Sequence, residues 1–263
     1  MKTFSSPAIV LRRIDFGDYD IILTLFTLER GKISAIAKSA KKSTKRFGGI
    51  LEIFSVLNVV CNSGKGGNLV ILQEADLISS LAEIRTDFHK TTYACYWSEI
   101  VNAWAENDAK QERLYRLLYY VLEQINSCSV SAELLSILFQ IRFASIAGIC
   151  PNLIRCSICH LAIDSFREDH ISFFFQKGGI TCHKCTENCC ENRLSLSKGT
   201  IKQLLWIDSG DLKKAGKIRF TPLAIKEGLN FLEAFVTYNL GKEMQSLKIL
   251  RQIRNKEREK QSF

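Results

Sequence analysis

Two CxxC pairs are the part of this 263-residue sequence most able to do chemistry. They are Cys156-x-x-Cys159 and Cys182-x-x-Cys185, and 22 residues separate them. Each pair places two thiolates on one tight turn, and four thiolates complete the tetrahedral shell of a structural zinc ion. A closed shell of four sulfur ligands leaves no position for a substrate. The spacing therefore predicts one zinc ion with a structural role in a zinc ribbon or knuckle.

Other ligands and other uses of the thiols stay open at this point. Four neighbouring side chains offer substitute ligands, although we interpret them as bystanders: His160, His183, Cys189 and Cys190. Scattered core cysteines are a further alternative, which the doubled motif disfavours. A redox CxxC is a weaker rival, because neither pair has the βαβ context of a thioredoxin-like site.

A basic segment far upstream is the second candidate site. Residues 30–46 contain seven basic side chains and no acidic one. Cationic groups beside serine and threonine hydroxyls suit contact with phosphate, and such binding is salt-dependent and tolerant of sequence. Phe47 follows directly and offers a ring on which a base stacks. The alternative is a solvated loop without a ligand. The predicted DNA-binding residues are Arg30, Lys32, Lys38, Lys41, Lys42, Lys45 and Arg46.

Composition limits the class of protein. The net charge of +9 favours a polyanionic partner such as nucleic acid. A hydrophobic fraction of 46% at this length indicates one large or two modest globular domains. We find no signal-peptide pattern and no run of about 18 apolar residues, so we expect no membrane span and a cytoplasmic protein with reduced or metal-bound cysteines. No catalytic triad or acid–base pair is recognisable, so we do not expect an enzyme.

The first 78 residues are predicted to form the element that positions the basic segment. Short apolar or β-branched runs alternate with turns, which is typical of a small β-barrel such as an OB-fold, with a small open sheet as the alternative. A polar turn is predicted over Asp15–Asp20, and a second one over Asn62–Asn68. The predicted strands are Ala8–Leu11, Ile21–Thr27, Lys32–Ala37, Ile50–Cys61 and Leu69–Glu74.

The rest of the chain has helical periodicity around the cysteine module, so the expected fold class is α+β. Gly148 is predicted to end one helix, and an aromatic stripe at Phe88, Trp97 and Trp104 is predicted to be core. The predicted helices are Leu81–Ala105, Gln111–Ile125, Ala132–Ala147, Ser197–Trp206, Pro222–Leu240 and Gln245–Ile253. The expected domains are a DNA-binding barrel (1–78), a helical domain in two parts (79–155 and 191–254), a zinc module (156–190) and a disordered tail (255–263).

Four regions of the sequence resemble the RecO family of bacterial recombination mediators. They occur in the family's order along nearly the whole chain. The second of them leads into Cys156 and Cys159. The matching residues are, in the first region, Gly17–Thr27, Gly31, Ala35–Lys38, Arg46, Gly49, Leu51, Glu52 and Phe54; in the second, Phe143–Leu153; in the third, Gly178–Cys182; and in the fourth, Gly241, Lys242, Ser246–Lys248 and Leu250.

The resemblance implies an N-terminal OB-fold, a helical domain and a zinc module. It implies binding to single- and double-stranded DNA, annealing of complementary strands, and loading of the RecA recombinase onto strands coated by single-strand-binding protein. The implied partners are RecR and the acidic C-terminal tail of single-strand-binding protein, and the implied location is the nucleoid. Two positions depart from the family, which often has glycine where this chain has Ser39 and His160. Ser39 affects the shape of the basic segment, and His160 is a competing ligand for the metal ion.

The leading hypothesis is a non-enzymatic DNA-binding mediator of recombinational repair. The alternative is a zinc-ribbon and barrel protein that binds RNA or acts in transcription. Arg142 is the first candidate for binding the tail of single-strand-binding protein, because it is the only charged residue between Leu134 and Cys150. Lys198 and Lys202 are second choices for this role. Arg142 is alternatively one half of a salt bridge to a glutamate on another helix.

Overall fold

The computed structural model describes residues 3–62, 69–187, 193–209 and 220–261. Two compact units divide the chain: unit 1 comprises residues 1–128 and 244–263, and unit 2 comprises residues 129–243. The helices predicted to form one helical domain are therefore distributed over both units. The strands are β1 (Thr3–Phe16), β2 (Asp20–Thr27), β3 (Gly31–Ala37), β4 (Val56–Asn62), β5 (Leu69–Ser79), β6 (His170–Phe174), β7 (Gly179–Thr181) and β8 (Arg193–Ser197).

The nine named helices are divided between the two units. Those of unit 1 are the first four and the last, and the others belong to unit 2. In chain order they are α1 (Thr44–Phe47), α2 (Ala82–Thr86), α3 (Phe88–Trp104), α4 (Glu112–Asn126), α5 (Ala132–Ile146), α6 (His183–Thr186), α7 (Lys198–Ser209), α8 (Pro222–Leu240) and α9 (Gln245–Gln261). None of these helices is long and apolar enough to cross a lipid bilayer.

The first five strands close into a barrel in the order β1-β2-β3-β5-β4. All neighbouring pairs are antiparallel except β3 and β5, which run parallel. Burial alternates along β2 and β3, because successive side chains of a strand point to opposite faces. The prediction of a small OB-like barrel is confirmed, and the open sheet is wrong. Among the side chains that fill the barrel are Val10, Leu23, Leu25, Ile33 and Leu57.

The segment between β3 and β4 differs from the sequence prediction. A strand was expected from Ile50, but β4 begins only at Val56. Phe54 has a left-handed backbone (φ +70°), which an extended strand does not allow, and its amide donates to the carbonyl of Val10 at 2.8 Å. Phe54 is fully buried, so its packing holds the chain against β1 in a non-strand conformation. The predicted turn over residues 63–68 lies outside the described residues.

The long helix predicted over residues 81–105 is two helices. Asp87 ends α2 with an extended backbone and caps α3, where its carboxylate accepts from the amide of Lys90 at 3.0 Å. The predicted aromatic core stripe is only partly present. Trp97 is fully buried, whereas Phe88 is 69% exposed at the first turn of α3.

The last helix, α9, completes unit 1 by packing on α3. The carboxylate of Glu99 accepts hydrogen bonds from the backbone amides of Gln245 and Ser246, both at 3.0 Å, and thus caps this helix from another one. The helix continues to Gln261. Residues 255–261 are therefore helical, in contrast to the disordered tail that the charged composition predicted.

Unit 2 packs α5, α7 and α8 beside a small sheet of order β7-β6-β8. Phe173 on β6 contacts two rings of α8, with centroid distances of 4.7 Å to Phe231 and 5.7 Å to Phe235. Gly148 ends α5 as predicted, with φ +74° and the amide of the next residue bonded to Ala144. The strand β8 was not predicted, and α7 begins directly after it.

Candidate metal centre and nucleic-acid interface

The two CxxC pairs converge on one point in unit 2. The four sulfur atoms of Cys156, Cys159, Cys182 and Cys185 all lie within 4.8 Å of one another. The Cys159 and Cys182 sulfurs are 3.6 Å apart. A tetrahedron with Zn–S bonds of about 2.3 Å has sulfur–sulfur edges of about 3.8 Å. The cluster therefore has the donor type and the dimensions of a four-thiolate metal site.

Hydrogen bonds of the backbone shape the turn that carries the first pair. The amide of His160 donates to the carbonyl of Cys156 at 3.0 Å, and the amide of Cys156 donates to Leu161 at 2.8 Å. These bonds close a tight knuckle around Cys156 and Cys159. The amide of Ser157 bonds to Ile180 at 2.8 Å and so fixes the knuckle to β7.

The second pair lies at the start of a short helix that follows β7. The carbonyl of Cys182 accepts from the amide of Cys185 at 3.0 Å, which brings both sulfurs to one side of α6. Gly179 allows the two knuckles to approach, because a Cβ there would lie 2.2 Å from the Ser157 hydroxyl. Gly178 beside it has φ +61°. The glycine pair thus forms the tight connection that leads through β7 into the second cysteine turn.

The surroundings of the sulfurs favour negative charge at Cys156. Burial raises the pKa of the Cys156 thiol, but backbone amides of Cys159, Cys182 and Ile158 outweigh this effect and lower that pKa to about 6. Burial also raises the pKa of Cys182, with a further contribution from the neighbouring Cys159 sulfur. A thiolate at one cysteine therefore disfavours ionisation of the neighbouring thiols. A bound cation would relieve this repulsion.

The alternative ligands do not join the cluster in the described part of the chain. The only metal-capable group found there consists of the four cysteines. His183 instead approaches Glu187, with 3.2 Å between its Nδ1 atom and the carboxylate, and His160 is exposed. Cys189 and Cys190 lie outside the described residues.

Five of the seven predicted DNA-binding residues lie together between β3 and β4 of the barrel. They follow the end of β3 and continue into α1, whose first turn is capped by Ser43. All five are exposed. We call them the basic loop, and they are Lys38, Lys41, Lys42, Lys45 and Arg46.

The basic loop is fixed to the turn between β1 and β2. The amide of Lys41 donates to the carbonyl of Tyr19 at 3.0 Å, and its ammonium group donates to Gly17 at 3.1 Å. The same ammonium group is 3.3 Å from the Asp15 carboxylate. The Lys42 ammonium lies 3.5 Å from the centroid of the Tyr19 ring. The cations are therefore held on a defined surface.

The other two predicted residues lie at the opposite end of β3. A strand of seven residues spans about 20 Å, which separates Arg30 and Lys32 from the basic loop. The Arg30 guanidinium donates to Asp108 at 2.5 Å, and the Lys32 ammonium donates to the carbonyl of Asn102 at 2.7 Å. Both cations thus join the barrel to the segment around α3 and α4. Gly31 between them permits this contact, since a Cβ there would meet the Ala109 carbonyl at 1.9 Å.

The aromatic ring expected beside the basic loop is a different one. Phe47 is only 2% exposed and belongs to the barrel core, so it has no face for a base. Phe16 and Tyr19, at the β1–β2 turn, are 53% and 45% exposed. The sequence pattern predicted only a polar turn at residues 15–20. Two aromatic residues inside such a turn were the signal that it missed.

Both departures from the family's glycines occupy strained backbone positions. Ser39 has φ +55° and His160 has φ +61°, values that favour glycine. The amide of Ser39 donates to the Asp20 carboxylate at 2.7 Å, which helps to hold this conformation. The loop and the knuckle therefore keep a glycine-like path although neither residue is glycine.

Replacing Ser39 or His160 with glycine is expected to stabilise the protein by about 0.5–1 kcal/mol each. The gain arises because glycine adopts the left-handed conformation without a clash of Cβ. Chemical denaturation measures the change. Ser195→Gly, in the extended strand β8, is the control and is expected to lower stability. Lower stability of both glycine variants would contradict the strain.

The residues predicted to hold a partner's tail lie in unit 2. Arg142 is half-buried on α5. Lys198 begins α7 and lines a cavity of about 360 Å³ with residues that include Thr200 and Leu223. Its ammonium group donates to the carbonyl of Phe166 at 3.0 Å. Lys202 is 3.1 Å from Asp164.

Similarity to known proteins covers almost all of the chain. The family models described as Recombination protein O N terminal and Recombination protein O C terminal match residues 1–81 and 85–248. A DNA repair protein RecO from Desulfosudis oleivorans is 45% identical over 97% of this chain and 100% of the relative. Proteins of the same description are 40% identical in Desulfatibacillum aliphaticivorans (97% and 99% covered) and 31% identical in Syntrophus aciditrophicus (95% and 96% covered). Because both family models match and these relatives align over nearly their full length, the chain belongs to the RecO family.

Proposed function

We propose that this chain is a non-enzymatic DNA-binding mediator of recombinational repair. It binds single- and double-stranded DNA, anneals complementary strands, and helps to load a recombinase onto strands coated by single-strand-binding protein. The observation that carries the proposal is the basic loop, in which five cations are exposed and two of them, Lys41 and Lys42, contact the turn between β1 and β2. The relatives described as DNA repair proteins support the same function.

The cations of the basic loop suit a nucleic acid that is bound through its phosphate backbone. Ammonium groups attract phosphates of any sequence, and the affinity follows the release of counterions. Annealing requires such binding, because base edges must stay available for pairing with a second strand. Arg30 and Lys32 support DNA binding only indirectly, since Arg30 donates to the Asp108 carboxylate and Lys32 donates to the carbonyl of Asn102.

We assign a structural role to the metal centre and propose Zn²⁺ as its ion, one per chain. The residues that would hold it are Cys156, Cys159, Cys182 and Cys185, whose sulfurs have the required spacing. Four thiolate ligands leave no open coordination position, so the bound ion would contribute folding free energy to unit 2. The surrounding residues hold the sulfurs in place through the backbone hydrogen bonds of the two knuckles.

The test is annealing of complementary strands that are already coated by single-strand-binding protein. Labelled oligonucleotides report duplex formation, with a coated sample lacking the protein and one containing an unrelated basic protein as controls. We expect annealing well above both controls. Rates equal to those of the controls would contradict the proposal. Preferential binding and annealing of RNA strands would favour the RNA-binding alternative instead.

We further propose that RecR and the acidic tail of single-strand-binding protein are partners, and that the protein acts in the cytoplasm at the nucleoid. The tail needs an apolar pocket for its last side chain and a basic group for its terminal carboxylate. Arg142 and Lys198 are the candidates for the basic group. Arg142 is half-buried, and the Lys198 ammonium donates to the carbonyl of Phe166 within unit 2.

Calorimetry with a short tail peptide is expected to show weaker binding for Arg142→Ala or Lys198→Ala than for the wild-type protein. Loss of a charge-assisted contact to the carboxylate weakens binding by about 1.5–3 kcal/mol. Lys226→Ala, an exposed cation on α8, is the control and is expected to bind as tightly as the wild type. Equal affinity in a folded variant removes that residue from the site, and no binding by the wild type refutes the tail proposal.

A further inference from the structure

The turn between β1 and β2 exposes more apolar surface than a polar turn requires. Phe16 is 53% exposed, Tyr19 is 45% exposed and Ile14 is 40% exposed. Single exposed apolar side chains are common and need no explanation. Here three large ones lie within six residues at the tip of one hairpin, where β1 ends and β2 begins.

This exposed tip continues into an apolar row across the outer face of the barrel. Ile14 pairs with Ile22, Ile22 with Ile36, and Ile36 with Ile71. Ile14 is exposed and the other three are half-buried, so the row lies on the side that faces away from the barrel core. Phe16 lies two residues beyond Ile14 and therefore on the same face of β1.

The tip and the basic loop form one surface. The backbone bond from Lys41 to Tyr19 and the bond from the Lys41 ammonium to Gly17 join them directly. The Lys42 ammonium lies over the Tyr19 ring, and the amide of Ser39 is bonded to Asp20. The Tyr19 ring is thus held beside the cations of the basic loop, with the exposed Phe16 at the same hairpin tip, in the combination that suits a single strand of nucleic acid.

We propose that Phe16 and Tyr19 form a stacking surface for the bases of single-stranded DNA, while the basic loop contacts its phosphates. This proposal rests on the DNA binding proposed above and names the residues that add to it. An aromatic ring stacks on any base, because every base has a π face, so the contribution is tolerant of sequence. The neighbouring lysines supply the charge complementarity that directs an anionic strand to this surface.

The two parts of the surface differ in which form of DNA they recognise. Bases of a duplex are stacked on one another and cannot also stack on protein rings. Phosphates are available in both forms. The rings are therefore expected to contribute only to binding of single strands, whereas the basic loop contributes to both.

The experiment compares Phe16→Ala and Tyr19→Ala with the wild-type full chain on three ligands: oligo-dT, a strand of equal length with abasic sites, and duplex DNA. Binding of oligo-dT is expected to weaken about five- to tenfold for each variant, at the lower end of the range for one stacked base. Binding of the abasic strand and of the duplex is expected to change less than twofold. The slope of affinity against salt is expected to stay unchanged, because no phosphate contact is lost.

Two controls separate stacking from general damage. Tyr19→Phe keeps the ring and is expected to bind oligo-dT like the wild type. Phe88→Ala removes an aromatic residue that is 69% exposed on α3, outside the barrel strands, and is also expected to bind normally. Equal weakening on oligo-dT and on abasic DNA would overturn the stacking role, as would full oligo-dT affinity in both alanine variants.

Failure of this inference is distinguishable from failure of the proposed function. If the wild type binds no DNA, the proposed function falls and the stacking role falls with it. If the wild type binds DNA and only the alanine variants of the rings are without effect, the proposed function stands and the stacking role is refuted.

Discussion

Cys182→Ser is expected to remove the bound metal ion and to lower the thermal stability of unit 2. Cys182 is buried, its amide approaches the Cys156 sulfur at 3.5 Å, and its carbonyl starts α6. In isolated zinc-finger peptides the metal contributes about 10–16 kcal/mol at pH 7, which is comparable with the total stability of about 5–15 kcal/mol of an ordinary domain. Unit 2 cannot absorb such a loss without losing order around the two knuckles.

Elemental analysis and thermal unfolding of the purified protein measure this effect. Cys159→Ser is a second variant, because Cys159 is exposed and its replacement leaves no cavity in the core. It is expected to lose the metal as well, which separates metal loss from damage to packing. Cys150→Ser replaces an exposed cysteine outside the cluster and should retain one ion per chain. Retention of the metal and of normal stability by both ligand variants would refute the four-thiolate site.

Combined replacement of Lys38, Lys42 and Lys45 by glutamine is expected to weaken binding to single-stranded DNA about a hundredfold at 0.1 M salt. Each phosphate contact contributes about 0.7 to the slope of affinity against salt for a single strand, so three lost contacts lower that slope by about 2. The loss should be similar for all sequences. Lys41 is left intact because its contacts with Asp15 and Gly17 support the loop itself.

A matched control removes the same charge from another part of unit 1. Combined replacement of Lys110, Arg113 and Arg116 by glutamine takes three positive charges from α4 and the segment before it, again from a net charge of +9. This control is expected to lose much less affinity and to keep most of the salt slope. Binding titrations at several salt concentrations compare the two variants. Equal losses would mean that total charge governs binding, and unchanged affinity of the loop variant would move the site to other cations such as Arg12 and Arg13.

The sequence predicted those parts of the site that depend on short spacings. A CxxC pair needs only one turn to bring its sulfurs together, and the sulfur atoms of the two pairs lie close together as predicted. The alternation of apolar residues with turns likewise predicted a closed barrel, since it reflects the period of a strand. Gly148 ended α5 for a similarly local reason, the left-handed backbone after a helix.

The sequence patterns did not show where neighbours in sequence are separated in space. Arg30 and Lys32 belong to the same run of basic residues as Lys38, but a whole strand places them at the other end of the barrel. Phe47 follows the basic loop directly, yet the short helix α1 turns it into the core. No local pattern of apolar residues records which way such a helix turns.

The division of the helices between the units depended on contacts over a long separation. Glu99 on α3 caps α9, although Gln245 lies 146 positions after Glu99 in the sequence. Periodicity identifies each of these helices but does not indicate which of them pack together. The assignment of each helix to one of the two units could therefore not be predicted from the sequence patterns.

The cap of α9 by Glu99 also makes unit 1 discontinuous, and this affects the order in which the chain can fold. While unit 2 is being synthesised, α3 has no α9 to pack against, and the Glu99 carboxylate has no helix to cap. Closing a flexible loop of 146 residues costs about 4 kcal/mol in chain entropy, in addition to a constant. Folding of unit 2 shortens the flexible part of that loop and lowers this barrier. A metal ion held by the four cysteines of unit 2 would thereby also promote completion of unit 1, which carries the basic loop.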